Sequence, residues 1–351
     1  MFPCLLVSTL TLAASEECTQ PRVAITDAAG VAEAISAQGW VILTNLTNGD
    51  ESPRWDQVTL GLAERVFPGR LRSSGANTLS AVHEENGAVQ EQYRQRCKAD
   101  PNCLAKDNEP DSFTPMGNSL LPHTDGYIYG DYMPDMVFLL LEAQSDNGGE
   151  NFLVDGEAVL RRLGSNATNS LHVQLAHTAT VDLTERLSSG GVTTGREAFG
   201  PVFRRRDDGT LWWRRQIQTT AYERAQQVEK QQEARGDDDD EAEHEGVQPY
   251  QSLWQPTDAD EEAAAATRAM LHAVDSAVQE ETMAAERFHL RSGEALLIDN
   301  LRILHGREAY SSKSLRNERK MWRVWAWTDR TAGLPDGMKE IGSPVHASKL
   351  L

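Results

Sequence analysis

The chain has 351 residues, enough to bury a substantial core in one large domain or in two small ones. Its formal net charge is −19, and residues 221–263 contribute −11 of that charge because they hold fourteen acidic residues and three basic ones. This acidic balance, without basic patches interleaved with aromatic residues, argues against nucleic acid or anionic membranes as partners.

An apolar stretch, residues 1–15, opens the chain and ends in small residues. It has the length of a secretory signal peptide and is too short to span a bilayer, so it predicts no integral membrane segment. No Lys or Arg precedes the apolar run, which argues against a secretory signal. Residues 1–20 are interpreted as a candidate signal or targeting leader, and a secretory, an organellar and a cytoplasmic location all stay open.

Two of the four cysteines, Cys97 and Cys103, enclose a segment of five residues. In an oxidising compartment they would close a small disulfide loop. In a reducing compartment all four cysteines are expected as free thiols. The sequence favours neither alternative.

The first regular elements are predicted as a strand, a helix and a second strand. Residues 22–25 and 39–43 are strand-like, and Asp27 stands where it would cap the helix between them. A second helix is predicted over residues 55–66, where apolar residues recur at helical spacing. Residues 71–118 are polar, irregular and long for a connection, which predicts a lid or a substrate-shaping segment.

His123 and Asp125 stand two positions apart in the stretch 121–126. In an extended segment such residues point to the same side, so an imidazole nitrogen and a carboxylate oxygen would meet at one ion. A single His-x-Asp occurs by chance in many proteins, and an isolated histidine is more often a surface or hydrogen-bonded core residue. The motif gains meaning only from the residues that accompany it.

The middle of the chain alternates strand-like and turn-forming stretches. Residues 136–141 are predicted as a buried strand, Gly148-Gly149 as a turn and residues 155–163 as a short helix. Residues 202–214 are predicted as a hairpin with Asp208-Gly209 at its tip, and its arginines as a solvated face.

The last third combines a polar segment, a long helix and a second histidine. Residues 222–256 contain four consecutive aspartates and too little apolar surface to order themselves, so a disordered insertion is predicted. Residues 263–288 are strongly helical. Residues 298–304 are interpreted as one buried strand that His305 ends, just before Gly306 turns the backbone.

His123, Asp125 and His305 together form a candidate iron site. Two imidazoles and one carboxylate would occupy one face of an octahedral metal and leave three positions for water, a cosubstrate and dioxygen. This arrangement is typical of non-haem Fe(II) oxygenases, whereas structural zinc sites are closed and tetrahedral.

The ordered set of motifs resembles the taurine dioxygenase and γ-butyrobetaine hydroxylase superfamily of Fe(II)/2-oxoglutarate-dependent oxygenases. The set consists of residues 121–126, 148–156 and 300–307, followed by Arg319 and Arg323. The resemblance spans roughly residues 23–329, which is most of the chain. It is specific in the order of the motifs rather than in overall identity.

The resemblance implies roles for individual residues. His123, Asp125 and His305 would be the catalytic iron ligands, and an arginine after the distal histidine would bind the far carboxylate of 2-oxoglutarate. Arg319 is the first choice for that arginine.

Three further positions complete the implied cosubstrate site. Arg316 competes with Arg319, because the spacing from His305 is longer here than in taurine dioxygenase. Arg323, four residues after Arg319, is the second arginine of the family's closing strand and is also assigned to cofactor binding. After the Gly-Gly pair the family often has Asp, followed by Thr or Ser. Here Glu150 stands at the first of these positions and Asn151 at the second, and Asn151 would offer an amide donor to the cosubstrate.

The resemblance also implies the fold and the reaction. The expected fold is mainly β with flanking helices, a double-stranded β-helix or jelly roll, as a single oxygenase domain over residues 21–351. The expected activity is oxidation, most simply hydroxylation, of a small polar or amine- or amino-acid-like substrate, with formation of succinate and CO2 and with ascorbate as a candidate stimulant. The alternative is a non-catalytic, metal-binding interaction module.

Three tyrosines just after the metal motif, Tyr127, Tyr129 and Tyr132, have two interpretations. They would form aromatic walls for a substrate amine, or they would pack on the rim of the barrel. The sequence does not identify the substrate or the oligomeric state.

Overall fold

The structure is a computed structural model in which most of the chain between residues 20 and 333 is described. Within this part the chain forms a sheet-rich, mixed fold with helices on two sides. The described residues are 20–47, 49, 53–72, 79–84, 120–126, 131–165, 170–183, 187–189, 192–194, 198–206, 209–215, 254–311, 319–331 and 333.

The helices are α1 (Ala28–Gln38), α2 (Trp55–Val66), α3 (Gly156–Leu163), α4 (Ser170–Thr178) and α5 (Glu261–Ala284). The strands of the first half are β1 (Arg22–Ala24), β2 (Trp40–Thr44), β3 (Leu79–Glu84), β4 (Leu120–His123), β5 (Met136–Ala143), β6 (Asn147–Gly148), β7 (Asn151–Asp155), β8 (Val181–Asp182) and β9 (Leu187–Ser189). The remaining strands are β10 (Val192–Thr194), β11 (Phe199–Gly200), β12 (Phe203–Arg205), β13 (Leu211–Trp213), β14 (Gln255–Pro256), β15 (Ala295–Asp299), β16 (Ile303–Arg307), β17 (Tyr310–Ser311) and β18 (Lys320–Ala326).

The larger sheet has six strands in the order β1-β2-β15-β5-β18-β3. Only the β1–β2 pair of this sheet is parallel, and α1 connects these two strands, so the predicted opening βαβ unit is confirmed. The predicted cap is also present, because the Gly30 N–H donates to Asp27 Oδ1 at 3.0 Å.

A smaller antiparallel sheet, β4-β16-β7, packs against the larger one. Strand β5 shows how the two faces of the large sheet are used, since successive residues of a strand point to opposite faces. One face packs on α1 and α2 and includes Met136, Phe138 and Leu140. The opposite face packs with residues of the small sheet, such as Ile303 and Leu153, and includes Val137, Leu139 and Leu141.

A second layer of helices covers the outer face of the small sheet. Val154 of β7 and Leu304 of β16 pack there with residues of α3, α4 and α5 and with the β12–β13 hairpin. Trp213 at the end of the hairpin is buried and donates its indole N–H to the Arg302 carbonyl at 3.0 Å. The small sheet therefore lies between the large sheet and a helical layer.

The prediction of one strand over residues 298–304 is wrong. Strand β15 ends at Asp299, a turn covers Asn300–Arg302, and β16 begins at Ile303, so His305 lies in the middle of a strand. The turn is closed by Asp299, whose Oδ1 accepts from the Leu301 N–H at 3.2 Å and whose carbonyl accepts from the Arg302 N–H at 3.1 Å. Side-chain bonds of this kind compete with strand pairing, and a run of apolar residues does not reveal them.

Two further expectations need correction. Part of the segment 71–118 predicted to be irregular forms β3, which pairs with β18 across more than two hundred positions of sequence, a partner that local pattern does not show. The arginines near the hairpin are not all solvated, because the Arg214 side chain is only 3% exposed.

Several predictions concern residues outside the described part of the chain. These are the leader over residues 1–19, most of the segment 71–118, all four cysteines, most of the insertion 222–256, Arg316, Tyr127 and Tyr129. Among the described helices, none combines the length and the apolar character needed to cross a bilayer.

Candidate metal centre

The first histidine of the candidate site, His123, is the last residue of β4. Its Nδ1 donates to the Leu121 carbonyl at 2.8 Å. This bond fixes the tautomer in which Nε2 carries the lone pair, which is the form that binds a metal.

The second histidine, His305, lies opposite His123 on the neighbouring strand β16. The two imidazole rings are 4.4 Å apart between their centroids and tilted by 44°. The close approach of β4 requires glycine at the next position, because a Cβ at Gly306 would lie 2.7 Å from the Leu120 carbonyl oxygen and 2.3 Å from the Phe152 ring. The Leu-His-Gly sequence thus places the second imidazole where the two strands come closest.

Asp125 lies in a turn rather than in the strand. Its backbone is fixed by Asn300, which is fully buried: the Asp125 N–H donates to Asn300 Oδ1 at 2.8 Å, and Asn300 Nδ2 donates to the Asp125 carbonyl at 2.9 Å. The same Nδ2 donates to the Pro134 carbonyl at 2.8 Å. Because Asn300 belongs to the turn before β16, one side chain positions Asp125 relative to the strand that carries His305.

The three side chains converge between the two sheets. One ligand atom from each of His123, Asp125 and His305 lies within 4.8 Å of the other two, and all three residues are buried. Nε2 of His123 is 3.5 Å and Nε2 of His305 is 3.6 Å from the same carboxylate oxygen, Asp125 Oδ1. Two imidazoles and one carboxylate suit a divalent iron ion and leave part of its coordination sphere open, so the residues fit the metal that the sequence implies.

The other carboxylate oxygen of Asp125 faces the large sheet. Trp325 Nε1 donates to Oδ2 at 2.8 Å, and one guanidinium nitrogen of Arg323 lies 3.1 Å from both oxygens. Burial raises the pKa of Asp125, but attraction to Arg323 and to the two histidines outweighs it and holds the pKa well below the usual range. The carboxylate is therefore ionised at neutral pH, with Oδ1 directed at the imidazoles.

A pocket opens beside the two histidines toward the start of β18. Its polar lining consists of His123, Asn151, His305, Arg307, Arg319 and Arg323. Arg319 is buried, and one of its terminal nitrogens lies 3.4 Å from Asn151 Oδ1. A buried arginine at the wall of a pocket suits a carboxylate ligand, because its fork of donors matches two carboxylate oxygens.

The structure brings together all of the sequence-predicted site residues that it describes. His123, Asp125 and His305 converge on one point, and Arg319 and Asn151 meet in the adjacent pocket. Arg323, predicted as a cosubstrate residue, lines this pocket and also contacts the Asp125 carboxylate.

Sequence reasoning missed the supporting residues Trp325, Asn300 and Arg307. The signal available for Trp325 was its position two residues after Arg323 on the closing strand, which places both side chains on the same face. Asn300 had no such signal, because its partners Asp125 and Pro134 are more than 160 residues away in the sequence. Arg307 follows His305 by two positions, so the same alternation pointed to it.

Replacing either histidine of the triad by Ala should abolish tight metal binding. Two remaining ligands leave a weak site, and the loss should exceed the roughly 100-fold upper figure for changes outside the ligand set. Mn(II) affinity, measured by calorimetry for His123→Ala and His305→Ala, tests this. The control is His272→Ala on the exposed face of α5, which should bind Mn(II) as the wild type does. Affinity within threefold of wild type in either triad variant contradicts the site.

Trp325→Phe should weaken metal binding while leaving all three ligands in place. Loss of the indole donor leaves Arg323 as a partner of Asp125 Oδ2 and so loosens the carboxylate, and changes to such outer partners lower metal affinity by about 10- to 100-fold. The matched control is Trp322→Phe on the same strand, whose indole N–H donates at 2.7 Å to Glu142, on the opposite face of the sheet. Equal Mn(II) affinities of the two variants would show that Trp325 does not orient the carboxylate.

Comparison with known proteins extends these observations. The family model described as "Taurine catabolism dioxygenase TauD, TfdA family" matches residues 43–325, which include the triad and both β18 side chains that hold Asp125. No curated protein matches this sequence.

Solved structures align with this chain at low sequence identity. AAD-2 in complex with Mn(II) and N-oxalylglycine aligns with a TM-score of 0.51 and 12% identity, over 89% of this chain and 97% of that chain. Asparagine oxygenase AsnO aligns with a TM-score of 0.46 and 14% identity, over 86% of this chain and 78% of that chain. PvcB from Pseudomonas aeruginosa aligns with a TM-score of 0.45 and 13% identity, over 86% of this chain and 79% of that chain. At this identity the likeness to AAD-2 shows a common fold and carries no information about the substrate.

The family match covers well over half of the chain and contains the complete candidate site. The order of motifs seen in the sequence, from the His-x-Asp stretch to the two arginines of the closing strand, therefore lies within the residues that match this family. The chain belongs to the taurine catabolism dioxygenase TauD, TfdA family and is an oxidoreductase, an Fe(II)/2-oxoglutarate-dependent dioxygenase.

Proposed function

We propose that this dioxygenase hydroxylates a small polar substrate, with an amine- or amino-acid-like character, and converts 2-oxoglutarate to succinate and CO2. The observation that carries the proposal is the convergence of His123, Asp125 and His305 within 4.8 Å, beside a pocket with three arginines. We assign iron to this triad. Arg319 and Asn151 are assigned to 2-oxoglutarate.

The proposed fold is a double-stranded β-helix. Its support is the pair of sheets with a common apolar layer: the large sheet contributes Leu139 and Trp325, and the small sheet contributes Ile303 and Leu153. The triad stands on the small sheet and its connections, and Arg323 and Trp325 reach it from the large sheet. A site between two sheets is typical of a jelly roll that binds its ligand at the open end.

The cosubstrate site is inferred from the position of Arg319 relative to the triad. Arg319 and both histidines line one pocket, so a dicarboxylate that contacts the metal would extend toward the guanidinium. The Asn151 amide is within 3.4 Å of Arg319 and lies on β7, beside the strand of His305. Arg307, stacked over the Tyr310 ring at 4.4 Å, adds positive charge to the same wall.

Bound iron and 2-oxoglutarate would supply the activation of dioxygen, which protein side chains do not provide. The chain's own residues orient the metal ligands and exclude water. Trp325 donates to Oδ2 of Asp125 and Arg323 contacts both carboxylate oxygens, which orients the carboxylate so that Oδ1 faces the two histidines. The Leu121 carbonyl fixes the tautomer of His123. The triad is almost fully buried, which limits the access of water to the reacting atoms.

The enclosure of the site favours a small substrate. Of the three tyrosines after the motif, Tyr132 is described, and it packs against the apolar layer between the sheets while its carbonyl accepts from Trp327 Nε1 at 2.7 Å. This contact supports a packing role for Tyr132 rather than a wall for a substrate amine. An amine- or amino-acid-like substrate remains our proposal, and the outcome of the reaction is proposed to be hydroxylation.

The direct test is turnover by purified protein with Fe(II), 2-oxoglutarate and ascorbate. We expect succinate to form, faster in the presence of the true substrate, and we expect a product heavier by one oxygen atom in a mass screen of small amines and amino acids. His305→Ala serves as the control that should form no succinate. Mn(II) binding by the wild type without any succinate formation would instead support the metal-binding interaction module.

Arg319→Leu should raise the KM for 2-oxoglutarate and leave Mn(II) affinity close to wild type. A hydrogen bond to a charged group contributes about 1.5–3 kcal/mol, and about 1.4 kcal/mol corresponds to tenfold, so the KM should rise at least about tenfold. Arg268→Leu on exposed α5 is the control and should not change the KM. If Arg316→Leu raises the KM and Arg319→Leu does not, the anchor is Arg316.

A further inference from the structure

Two consecutive arginines follow β13, and they have very different surroundings. Arg215 is fully buried and bonds to Asp275 of α5 at 2.6 Å, with its guanidinium 5.4 Å from the centroid of the Trp254 ring. Arg214 is also buried, with 3% of its side chain exposed, yet Nε and both terminal nitrogens of its guanidinium make no hydrogen bond within the described part of the chain. Adjacent residues of an extended segment point to opposite sides, so Arg214 points away from the core that receives Arg215.

The charge of Arg214 is only weakly compensated. Its nearest carboxylate is Asp131, at 3.7 Å, which is beyond hydrogen-bond distance. Asp131 is 52% exposed and already pairs with Arg204 at 3.3 Å. Burial lowers the pKa of Arg214 to about 10, with the nearby Arg204 acting in the same direction and Asp131 and Asp182 opposing it. Burial of a cation without hydrogen bonds costs folding free energy, and native proteins rarely contain such a group unless it has a function.

Arg214 borders the loop that leaves the metal site. Thr124, between the two metal ligands of the His-x-Asp motif, is bonded twice to Arg215: its N–H donates to the Arg215 carbonyl at 3.1 Å, and its Oγ1 accepts from the Arg215 N–H at 3.0 Å. Asn300 Nδ2 donates to the carbonyls of both Asp125 and Pro134, so the two ends of the loop meet at one amide. Asp131 belongs to this loop, and its carboxylate is the one that forms the 3.7 Å ion pair with Arg214.

We propose that Arg214 binds the carboxylate of the organic substrate that is oxidised at the metal. A carboxylate would supply the acceptors that the guanidinium lacks in the protein, and burial would strengthen the pair by excluding water. The inference rests on the proposed function, because it places the substrate beside the iron site. It narrows the substrate class to small organic acids, of which amino acids are one kind.

The carboxylate at Arg214 is that of the substrate rather than that of 2-oxoglutarate. The 2-oxoglutarate pocket is lined by Arg307, Arg319 and Arg323, from β16 and the β18 segment, and Arg214 is not among its lining residues. Arg214 approaches from the β12–β13 hairpin. The two sources are separated experimentally by measuring each ligand in the same variants.

The first measurement compares the two neighbouring arginines in thermal unfolding without organic acids. If Arg214 serves to bind a ligand, Arg214→Met should raise Tm or leave it unchanged, because the variant removes a buried charge that makes no hydrogen bond within the described residues. Arg215→Met should lower Tm, because it removes the cation that pairs with the buried Asp275 carboxylate. A fall in Tm for Arg214→Met as large as that for Arg215→Met would show a structural role and overturn the inference.

The second measurement tests the carboxylate directly. Protein loaded with Mn(II) and 2-oxoglutarate is titrated with acetate and with the twenty common L-amino acids, each paired with its primary amide, at constant ionic strength. At least one acid should raise the Tm of the wild type while its amide does not. Its affinity should fall at least tenfold in Arg214→Gln and less in Arg214→Lys, with the 2-oxoglutarate affinity of both variants within twofold of wild type.

Three results would contradict the inference. They are equal acid affinities in the wild type and Arg214→Gln, no carboxylate-dependent shift with any probe in the wild type, and a loss of 2-oxoglutarate affinity equal to that of the probe acid. Succinate formation by the wild type is measured in parallel. If succinate forms and one of these results is found, the inference about Arg214 fails and the proposed dioxygenase function stands.

Discussion

The carboxylate of Asp125 contacts side chains of both sheets, and the geometry of the candidate metal site depends on these contacts. One of its oxygens faces His123 and His305 on the small sheet, and the other accepts from Trp325 on the large sheet. A buried carboxylate of this kind needs strong partners, since an ionised group without them would be neutralised or expelled. The contact therefore fixes the spacing between the sheets at the place where the metal would bind.

The apolar layer between the sheets holds the side chains that contact Asp125 in fixed positions. Residues of β5, β15 and β18 alternate between the two faces of the large sheet, so the same strands that build the core also deliver Arg323 and Trp325 to the site. Asn300 adds a second constraint, because it ties the turn before His305 to the backbone of Asp125. Ligands placed on strands and held by a rigid outer layer of partners keep their geometry better than ligands on free loops.

Buried arginines distinguish the interior of this acidic protein. Arg323 is neutralised by Asp125 and Arg215 by Asp275, and these pairs are structural. Arg319 stands in a pocket beside the histidines, and Arg214 makes no hydrogen bond within the described residues. Arg214 differs in this respect from Arg215, which donates a hydrogen bond to a buried carboxylate, and burial of a guanidinium without such a bond is unfavourable until an anion arrives.

The sequence by itself determined the elements with strong local signals. It predicted α2 at its observed bounds, the Asp27 cap and the β12–β13 hairpin, because periodicity, capping and turn chemistry act over a few residues. The order of the motifs, rather than a local signal, indicated His305 as the partner of His123 and Asp125. Only the tertiary structure decided that Asp125 is held by Trp325 and Asn300, that β3 pairs with β18, and that Arg214 is buried. These features depend on contacts between residues far apart in the sequence, and burial and side-chain partners exist only once the sheets have packed.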